Sequence, residues 1–366
     1  MNSKKFYILL FTILSIGFLL CACSNNDNSN SSSPITFVDA LGRAVEMDSP
    51  PQRIVIGGNG SIMIVDAIFA FPEANDLVIG YAKTDQGHGN FTQILDKNHS
   101  AAMINNKASI EETATLKPDL VLLKSYMKEM GDGLEQLGIP VAYMDFESLE
   151  QYKRDLTNLG IILENPSRAV ELFQYYENII TNVTNATKNL EEELKPSVLF
   201  IYYSSRNDTI SFNVPPLDWA QTTMIELAGG SPIWTDIPME SNWTRVNIEQ
   251  IAAWNPDIIF LTAYFDDIDT IKNEIMSDTL WGSLQAVKND QLYAIPMGFY
   301  SWDQPHTRWG VTQQWMAAKI QPDLFPNFSF DETSRHAYYF LYGLEADDYD
   351  SVILPKLQGD IGDTIQ

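Results

Sequence analysis

Cysteine is nearly absent from this chain. Two occur in 366 residues, Cys21 and Cys23, both near the amino terminus, so a thiolate zinc site, a disulfide framework or a cysteine nucleophile in the folded body is excluded. Positive charge is scarce as well. Lys and Arg number 23 against 48 Asp and Glu, a formal net charge of −25, which argues against a sequence-independent grip on nucleic acid or anionic lipid. Histidine is limited to His88, His99, His306 and His336, without the close spacing by which proteins build a metal site. No Gly-x-Ser-x-Gly elbow, Walker loop or His-Glu-x-x-His is present, so no catalytic template is met and no resident cofactor is expected. The glycines Gly57, Gly58 and Gly60 lack the full spacing of a nucleotide loop and read as a tight turn bringing backbone amides to a surface.

Long hydrophobic runs are also missing, except one. Lys4 and Lys5 precede an apolar run of 15 residues, Phe6 to Leu20, which suits the core of a signal peptide and is short for a spanning helix. It ends in Leu20-Cys21-Ala22-Cys23, which resembles the bacterial lipobox; the resemblance implies cleavage after residue 22 and acylation of Cys23. Residues 24–33 read SNNDNSNSSS, the composition of a flexible tether. The expected order is a lipoprotein signal over 1–22, a lipidated tether over 23–33, and a folded body that touches the membrane only through its anchor.

What is there in quantity is ordinary globular material, 45% hydrophobic with 11% aromatic residues, long enough for two core-bearing lobes. From Pro34 onward, strand-length apolar runs alternate with helical patterns, the signature of parallel βαβ units. Strands are expected at 53–57, 77–81, 120–123, 141–144, 198–203, 258–262 and 292–296. Between the two groups, residues 167–194 carry Val170, Phe173, Tyr176, Ile180, Val183 and Leu190 at helical spacing and predict one long helix. The two halves also repeat. Residues 108–123 (ASIEETATLKPDLVLL) and 246–261 (VNIEQIAAWNPDIIFL) share Ile-Glu, then Pro-Asp and an apolar strand, with seven residues from Glu to Pro in both. Duplicated lobes explain this better than chance. The fold class expected is therefore α/β: two pseudo-symmetric α/β lobes, 34–166 and 197–366, bridged by one long rigid helix over 167–196.

These residues, with ITFVDALGRAVEMDSPPQRIVI at 35–56 and LWGSLQAVKNDQLYAIP at 280–296, resemble the substrate-binding components of ABC importers for iron-siderophores, haem and vitamin B12. The resemblance covers nearly the whole chain after the tether. It implies a class III clamshell holding its ligand between the lobes, no enzymatic activity, an extracytoplasmic lipid-anchored monomer, and an ABC permease dimer with its ATPase subunits as partner. It also implies that Glu111 and Glu249, at matching places in the two repeats, dock one lobe each onto the permease. One carboxylate per lobe suits charge-assisted bonds to a symmetric partner, although Glu in a first helical turn also simply complements the dipole.

Ligands of parallel α/β lobes collect at the carboxyl ends of strands. The loops there present Asn59, Gly60 and Ser61; Tyr81, Lys83 and Thr84; Ser125 and Tyr126; Tyr203 and Arg206; Tyr264; and Phe299, Tyr300 and Trp302. The resemblance adds Trp243, and Arg308 as a turn facing the cleft; Arg245 stands beside Trp243. All eight tryptophans lie beyond residue 200, giving the second lobe more capacity for flat π-rich contacts. Trp254, Trp281 and Trp315 read as core, and Trp219, Trp234 and Trp309 stay open. Three of only eight arginines, Arg206, Arg245 and Arg308, fall in these loops and suggest an anionic ligand part. The expected cargo is an iron-siderophore, haem or corrinoid chelate. A molybdate- or tungstate-type oxyanion on the same fold is the alternative, His88 or a tyrosine could serve as an axial haem ligand, and a lipid-anchored hydrolase using carboxylates near Asp266 and Asp267 is the remote rival.

Overall fold

The computed structural model describes residues 33–362, apart from 85, 88, 108, 207 and 208. Cys23, the expected signal and nearly all of the tether lie outside the described residues, as does His88. Among those described, no helix is long and apolar enough to cross a membrane.

The body opens with an antiparallel hairpin, β1 (Ile35–Val38) and β2 (Ala44–Met47). Its turn is built by buried Asp39, whose carboxylate accepts the amides of Leu41 and Arg43 at 2.9 and 3.0 Å, while Gly42 supplies the positive φ of 73°; both are the usual chemistry of a tight turn. Then come β3 (Ile54–Ile56), α1 (Ile62–Ile68), α2 (Ala74–Leu77), β4 (Val78–Ala82), α3 (Thr92–Leu95), β5 (Ala102–Ile104), α4 (Ile110–Thr115), β6 (Leu120–Leu123), α5 (Lys128–Gln136) and β7 (Val141–Tyr143). The five strands β3 to β7 form a parallel sheet in the order β5-β4-β3-β6-β7. Both faces are covered, so β3 and β6 are buried at every position, which is why they read as unbroken apolar runs.

Two helices follow, α6 (Leu149–Ile162) and α7 (Pro166–Thr187). Asn165 caps α7 by accepting the amide of Arg168, and Pro166 occupies its first position, where a missing N–H does no harm. The buried stripe is Ala169, Leu172, Tyr176, Ile179 and Val183; Tyr176 and Val183 are buried as expected, while Val170 is exposed and Phe173 and Ile180 are only partly buried, the residue before each taking the buried place. Apolar pairs at 172–173 and 179–180 leave the phase ambiguous in sequence. The helix also ends at Thr187 rather than running on to 194–196. Glu191, Glu192 and Glu193 come next, and three carboxylates at a helix carboxyl terminus would oppose its dipole.

The second lobe comprises β8 (Ser197–Ser204), β9 (Ser211–Val214), α8 (Ala220–Leu227), β10 (Ser231–Pro232), β11 (Thr244–Val246), α9 (Ile248–Trp254), β12 (Ile258–Ala263), α10 (Ile268–Ser277), α11 (Gln285–Lys288) and β13 (Leu292–Ala294). Its sheet runs β11-β9-β8-β12-β13, with β10 also on β8; β8, β12 and β13 are parallel, while β9 and β11 add an antiparallel edge.

The repeat seen in sequence has a structural counterpart. Ser109 caps α4 by accepting the amide of Glu112, and Asn247 caps α9 by accepting that of Gln250, in the pattern of a capping residue followed three positions later by Glu or Gln. The Pro-Asp steps match too. Asp119 accepts the amides of Gln52 and Arg53, both at 2.8 Å, at the head of β3; Asp257 accepts the amide and hydroxyl of Ser197 at 2.9 and 2.7 Å, at the head of β8. In each lobe the repeated aspartate fastens the start of the strand beside its own.

Toward the carboxyl end come α12 (Trp309–Ile320) and α13 (Phe330–Tyr342), followed by short helical turns and a strand at Leu357–Gln358 that pairs with Met297–Gly298. Helix α13 does not stay with the second lobe. Tyr338 and Tyr342 meet Phe91 edge-on at 5.7 and 5.3 Å, while Phe330 stacks on Trp302. Arg168, at the head of α7, donates to Ala70 O at 2.9 Å and to Phe340 O at 2.6 Å, lashing the first lobe, α7 and α13 together.

Candidate ligand-binding cleft

In the first sheet, chain order reverses between β3 and β6, and a crevice opens at such a switch point beyond the carboxyl ends of the strands. Asn59, Gly60 and Ser61 after β3, Lys83, Thr84 and Gln86 after β4, Tyr126 after β6 and Glu147 after β7 line one side of a cleft of about 980 Å³. The opposite side is built by Tyr202 and Arg206 on and after β8, Trp219 and Gln221 at the head of α8, Trp243 before β11, and Tyr264 and Phe265 after β12.

The two walls differ in chemistry. The second-lobe wall is a continuous aromatic surface: Tyr202 lies 4.6 Å from Tyr264 and 5.0 Å from Trp243 between ring centres, and Trp219 meets Trp243 edge-on at 5.4 Å. Arg206 spreads its guanidinium 3.6 Å from the Phe265 ring centre, a geometry that leaves its edge free to bond. The first-lobe wall is mainly hydroxyls, amides and backbone. Tyr126, the one aromatic residue among the described residues of this wall, donates to Asn59 O at 2.9 Å; desolvation first, and then the Glu147 and Asp145 carboxylates, push its phenol up to about 12, so it stays a neutral donor. Gly60 sits at φ +66°, and a Cβ there would lie 2.1 Å from the Tyr126 hydroxyl, so this approach needs glycine. Charge in the lining is mixed, Lys83 and Arg206 against Glu147 and Asp218. Beneath Glu147, buried Lys124 donates to its carboxylate and to Asp145 O.

Of the residues anticipated from sequence, Asn59, Gly60, Ser61, Lys83, Thr84, Tyr126, Arg206, Trp243 and Tyr264 lie in this lining. Tyr81, Ser125, Tyr203, Arg245, Phe299, Tyr300, Trp302 and Arg308 do not. Tyr81 is 2% exposed and turns into the first lobe's core. Tyr203 packs on Phe212 behind the sheet, because alternate residues of β8 face opposite ways and it is Tyr202 that reaches the cleft. Arg245, between buried Thr244 and Val246, points to the outer surface and bonds Ile210 O at 3.2 Å. Trp302 is fully buried.

Arg308 is also fully buried and forms an ion pair with equally buried Asp66 on α1 at 2.8 Å. The guanidinium lies between the rings of Phe91 and Tyr300, 4.3 and 4.2 Å from their centres; Tyr300 also donates to Asp66. Burial opposes its charge, but Tyr300, Tyr338 and Asp66 hold its pKa well above the ordinary value. His306, sealed in the same cluster, is held well below its ordinary pKa by burial and by Arg308. Arg308 thus joins the lobes instead of facing the cleft. The turn around it carries more polar residues than a core stretch, so sequence alone pointed outward.

Several lining residues were not singled out from sequence. Glu147 follows a strand that was anticipated, and the strand-end rule would have reached it. Trp219 had been left open, and nothing local marks Phe265, Gln86 or Gln304. Trp234, Trp281, Trp309 and Trp315 are buried, and Trp254 is partly so. The carboxylates at 266 and 267 are used structurally: Asp266 accepts from Ser205 and Asp267 caps α10. Among the described residues no group of three or more His, Cys, Asp or Glu could hold a metal ion. Glu111 and Glu249 are both exposed, each the second residue of its capped helix, one per lobe. The Glu111 carboxyl is lowered by its own backbone amide and by Ser109.

The family described as periplasmic binding protein matches residues 104–297. The chain is 21% identical to the molybdate-binding protein MolA of Haemophilus influenzae over 88% of its own length and 95% of that protein. It is 23% identical to the high-affinity heme uptake protein IsdE of Staphylococcus aureus over 61% of itself and 72% of IsdE. A crystal structure of a periplasmic solute-binding protein from Veillonella parvula superposes with a TM-score of 0.70 at 25% identity, covering 88% of this chain and 97% of that one.

Proposed function

Because the chain belongs to the periplasmic binding protein family, and is accordingly a substrate-binding protein of an ABC transporter rather than an enzyme, we propose that its cargo is a metal chelate of the siderophore, haem or corrinoid kind. The observation that carries this reading is the cleft itself. Its volume, about 980 Å³, lies at the upper end of the roughly 300–1,000 Å³ typical of sites for sizeable organic ligands. An aromatic wall facing a wall of amides and hydroxyls suits a cargo with one broad apolar face and a hydrogen-bonding edge. The polypeptide supplies no metal cage among the described residues. On this reading any metal arrives inside its own ligand and is transported as part of the substrate.

A second reading is favoured by the length of the match to MolA: an oxyanion such as molybdate, held by Arg206 and Lys83. It leaves most of the aromatic wall without a role, and Arg245 and Arg308, which would have strengthened it, do not line the cleft.

In this reading residues 34–166 and 197–366 are the two jaws, 167–196 the bridge, and Cys23 the acylated residue that holds the protein on the outer side of the cell membrane. Glu111 and Glu249 dock the jaws on the permease, whose ATPase subunits supply the energy. Their exposure and matched positions support that role.

Tryptophan fluorescence tests the cargo, since Trp219 and Trp243 line the cleft. The panel is ferric catecholate and hydroxamate siderophores, haemin, cobalamin, molybdate and tungstate. Saturable quenching by a chelate with silence for the oxyanions is expected. A response to molybdate or tungstate alone overturns the chelate reading in favour of the second.

A further inference from the structure

Asp303 is fully buried, in the loop leading to α12. Its Oδ1 accepts from the hydroxyls of Thr262 at 3.0 Å and Ser301 at 2.5 Å. Its Oδ2 accepts from the Gln221 amide at 2.9 Å and the Tyr264 hydroxyl at 2.7 Å. No ion pair to it is formed among the described residues. A buried carboxylate without a cation is expensive unless its lone pairs are filled; here four neutral donors fill them. Such a group persists where it fixes geometry. Two of its four partners, Tyr264 and Gln221, belong to the cleft lining.

The same two loops carry a contact between the lobes. The Gly87 amide, in the first-lobe loop after β4, donates to the Tyr264 carbonyl at 2.9 Å. Gly87 is at φ +70°, and a Cβ would fall 1.7 Å from Phe299 O, so only glycine permits the approach. Next to Asp303, Gln304 donates to Gln86 at 2.7 Å across the same rim. Tyr264 therefore has three attachments: its ring to the Tyr202 and Trp243 rings, its hydroxyl to Asp303, and its carbonyl to the opposite jaw.

We propose that Asp303 is a positioning residue that joins the cargo-facing aromatic wall and the rim contact between the lobes into one mechanical unit, through Tyr264. Cargo leaning on the wall then moves the residue that holds Gly87, so occupancy is felt as a change in the grip between the jaws. This holds whatever the cargo is.

The test needs no ligand. Amide hydrogen exchange is followed in the full chain at Gly87, with β6 of the first lobe as internal reference, in Asp303→Ala, Asp303→Asn, Tyr264→Phe, Thr262→Val and Trp243→Ala. Loss of one well-made hydrogen bond corresponds to about tenfold faster opening. Asp303→Ala and Tyr264→Phe are each expected to accelerate Gly87 by about that factor, with no further gain when combined. Asp303→Asn keeps an acceptor for Tyr264 while the Thr262 and Ser301 hydroxyls turn to accept from its amide, and stays near wild type. Thr262→Val, which leaves Tyr264 its partner, does the same. Trp243→Ala, which disturbs the wall from the cleft side, also accelerates Gly87. Unchanged exchange in Tyr264→Phe or in Trp243→Ala overturns the proposal, as does equal acceleration at Gly87 and β6, the mark of a merely structural role. Should Asp303→Ala not fold, Tyr264→Phe and Trp243→Ala decide the matter alone.

Discussion

The sealed pair Asp66–Arg308 offers the sharpest quantitative test. Asp66 lies on α1 and Arg308 at the head of α12; both are 0% exposed and 2.8 Å apart. Removing one member of such a pair strands the other charge in a medium that solvates it poorly, which typically costs about 3–5 kcal/mol. At this chain length that corresponds to a fall in Tm of about 4–7 °C. The two single variants should differ in pH dependence. Arg308→Met leaves Asp66, whose carboxyl burial already pushes above the ordinary aspartate range against the opposing pull of Arg308. A carboxyl with a folded pKa above its unfolded one adds stability when protonated and loses it as pH rises through the folded pKa. The deficit of Arg308→Met should therefore be largest near pH 7 and shrink on acidification. Asp66→Asn strands a guanidinium that does not titrate and removes the wild type's raised carboxyl, so its deficit should shrink rather than grow as pH rises. The double variant Asp66→Leu/Arg308→Met should recover much of the loss, because an apolar pair of similar bulk replaces an ion pair at little penalty. Urea unfolding between pH 5 and 8 measures all three. Single deficits below about 1 kcal/mol, or a double deficit equal to the sum of the singles, would refute the reasoning.

Other outcomes follow from the geometry and, for Cys23, from the proposed anchor. His306 is held below its ordinary pKa and faces Arg308 and Asp66, so the unfolded chain takes up a proton below pH 6.5 that the folded chain refuses. Wild-type stability should fall relative to His306→Gln by up to about 1.4 kcal/mol per pH unit on acidification; parallel urea curves at pH 7 and pH 5 would contradict this. Trp243→Ala should weaken cargo binding at least tenfold with a smaller fall in Tm than Trp302→Ala, because Trp243 is only partly buried at the cleft, whereas Trp302→Ala should lower stability by about 3–5 kcal/mol as a buried aromatic does; calorimetry paired with titration separates them. Glu111→Lys with Glu249→Lys should abolish uptake by cells while leaving affinity in solution unchanged, and a collapse of affinity would exclude docking as their role. Cys23→Ser should release the protein from the membrane fraction, and retention there would remove the anchor.

The parts of the fold that follow period and punctuation were readable in advance. Fully buried parallel strands such as 120–123 and 258–263 announce themselves as apolar runs after Pro-Asp, and the duplicated caps at Ser109 and Asn247 mark where each unit begins. Strands β5, β9 and β11 were not readable, being three or four residues long with exposed or only half-buried positions. Side-chain direction was the harder matter in the cleft. Tyr202 and Tyr203 differ by one step along β8 and face opposite ways, so a strand-end rule without register selects the wrong ring. Arg308 misled for another reason. A charged residue in a polar turn is ordinarily at the surface, and only its partner 242 positions away in sequence, together with two flanking aromatic rings, makes burial tolerable.

The strap of Arg168, α7 and α13 bears on how cargo leaves. With Arg168 clasping backbone carbonyls of both Ala70 and Phe340, and Asp66–Arg308 sealed close by, the jaws are stiff at the hinge side. Among the described residues, the hydrogen bonds at the mouth are slight by comparison: Gly87–Tyr264 and Gln304–Gln86, each contributing about 1 kcal/mol net. If a permease docks on Glu111 and Glu249 as proposed, a shut and a parted rim differ by a free energy small enough for that grip to supply, and release would part the lip while the spine of the molecule stays unbent.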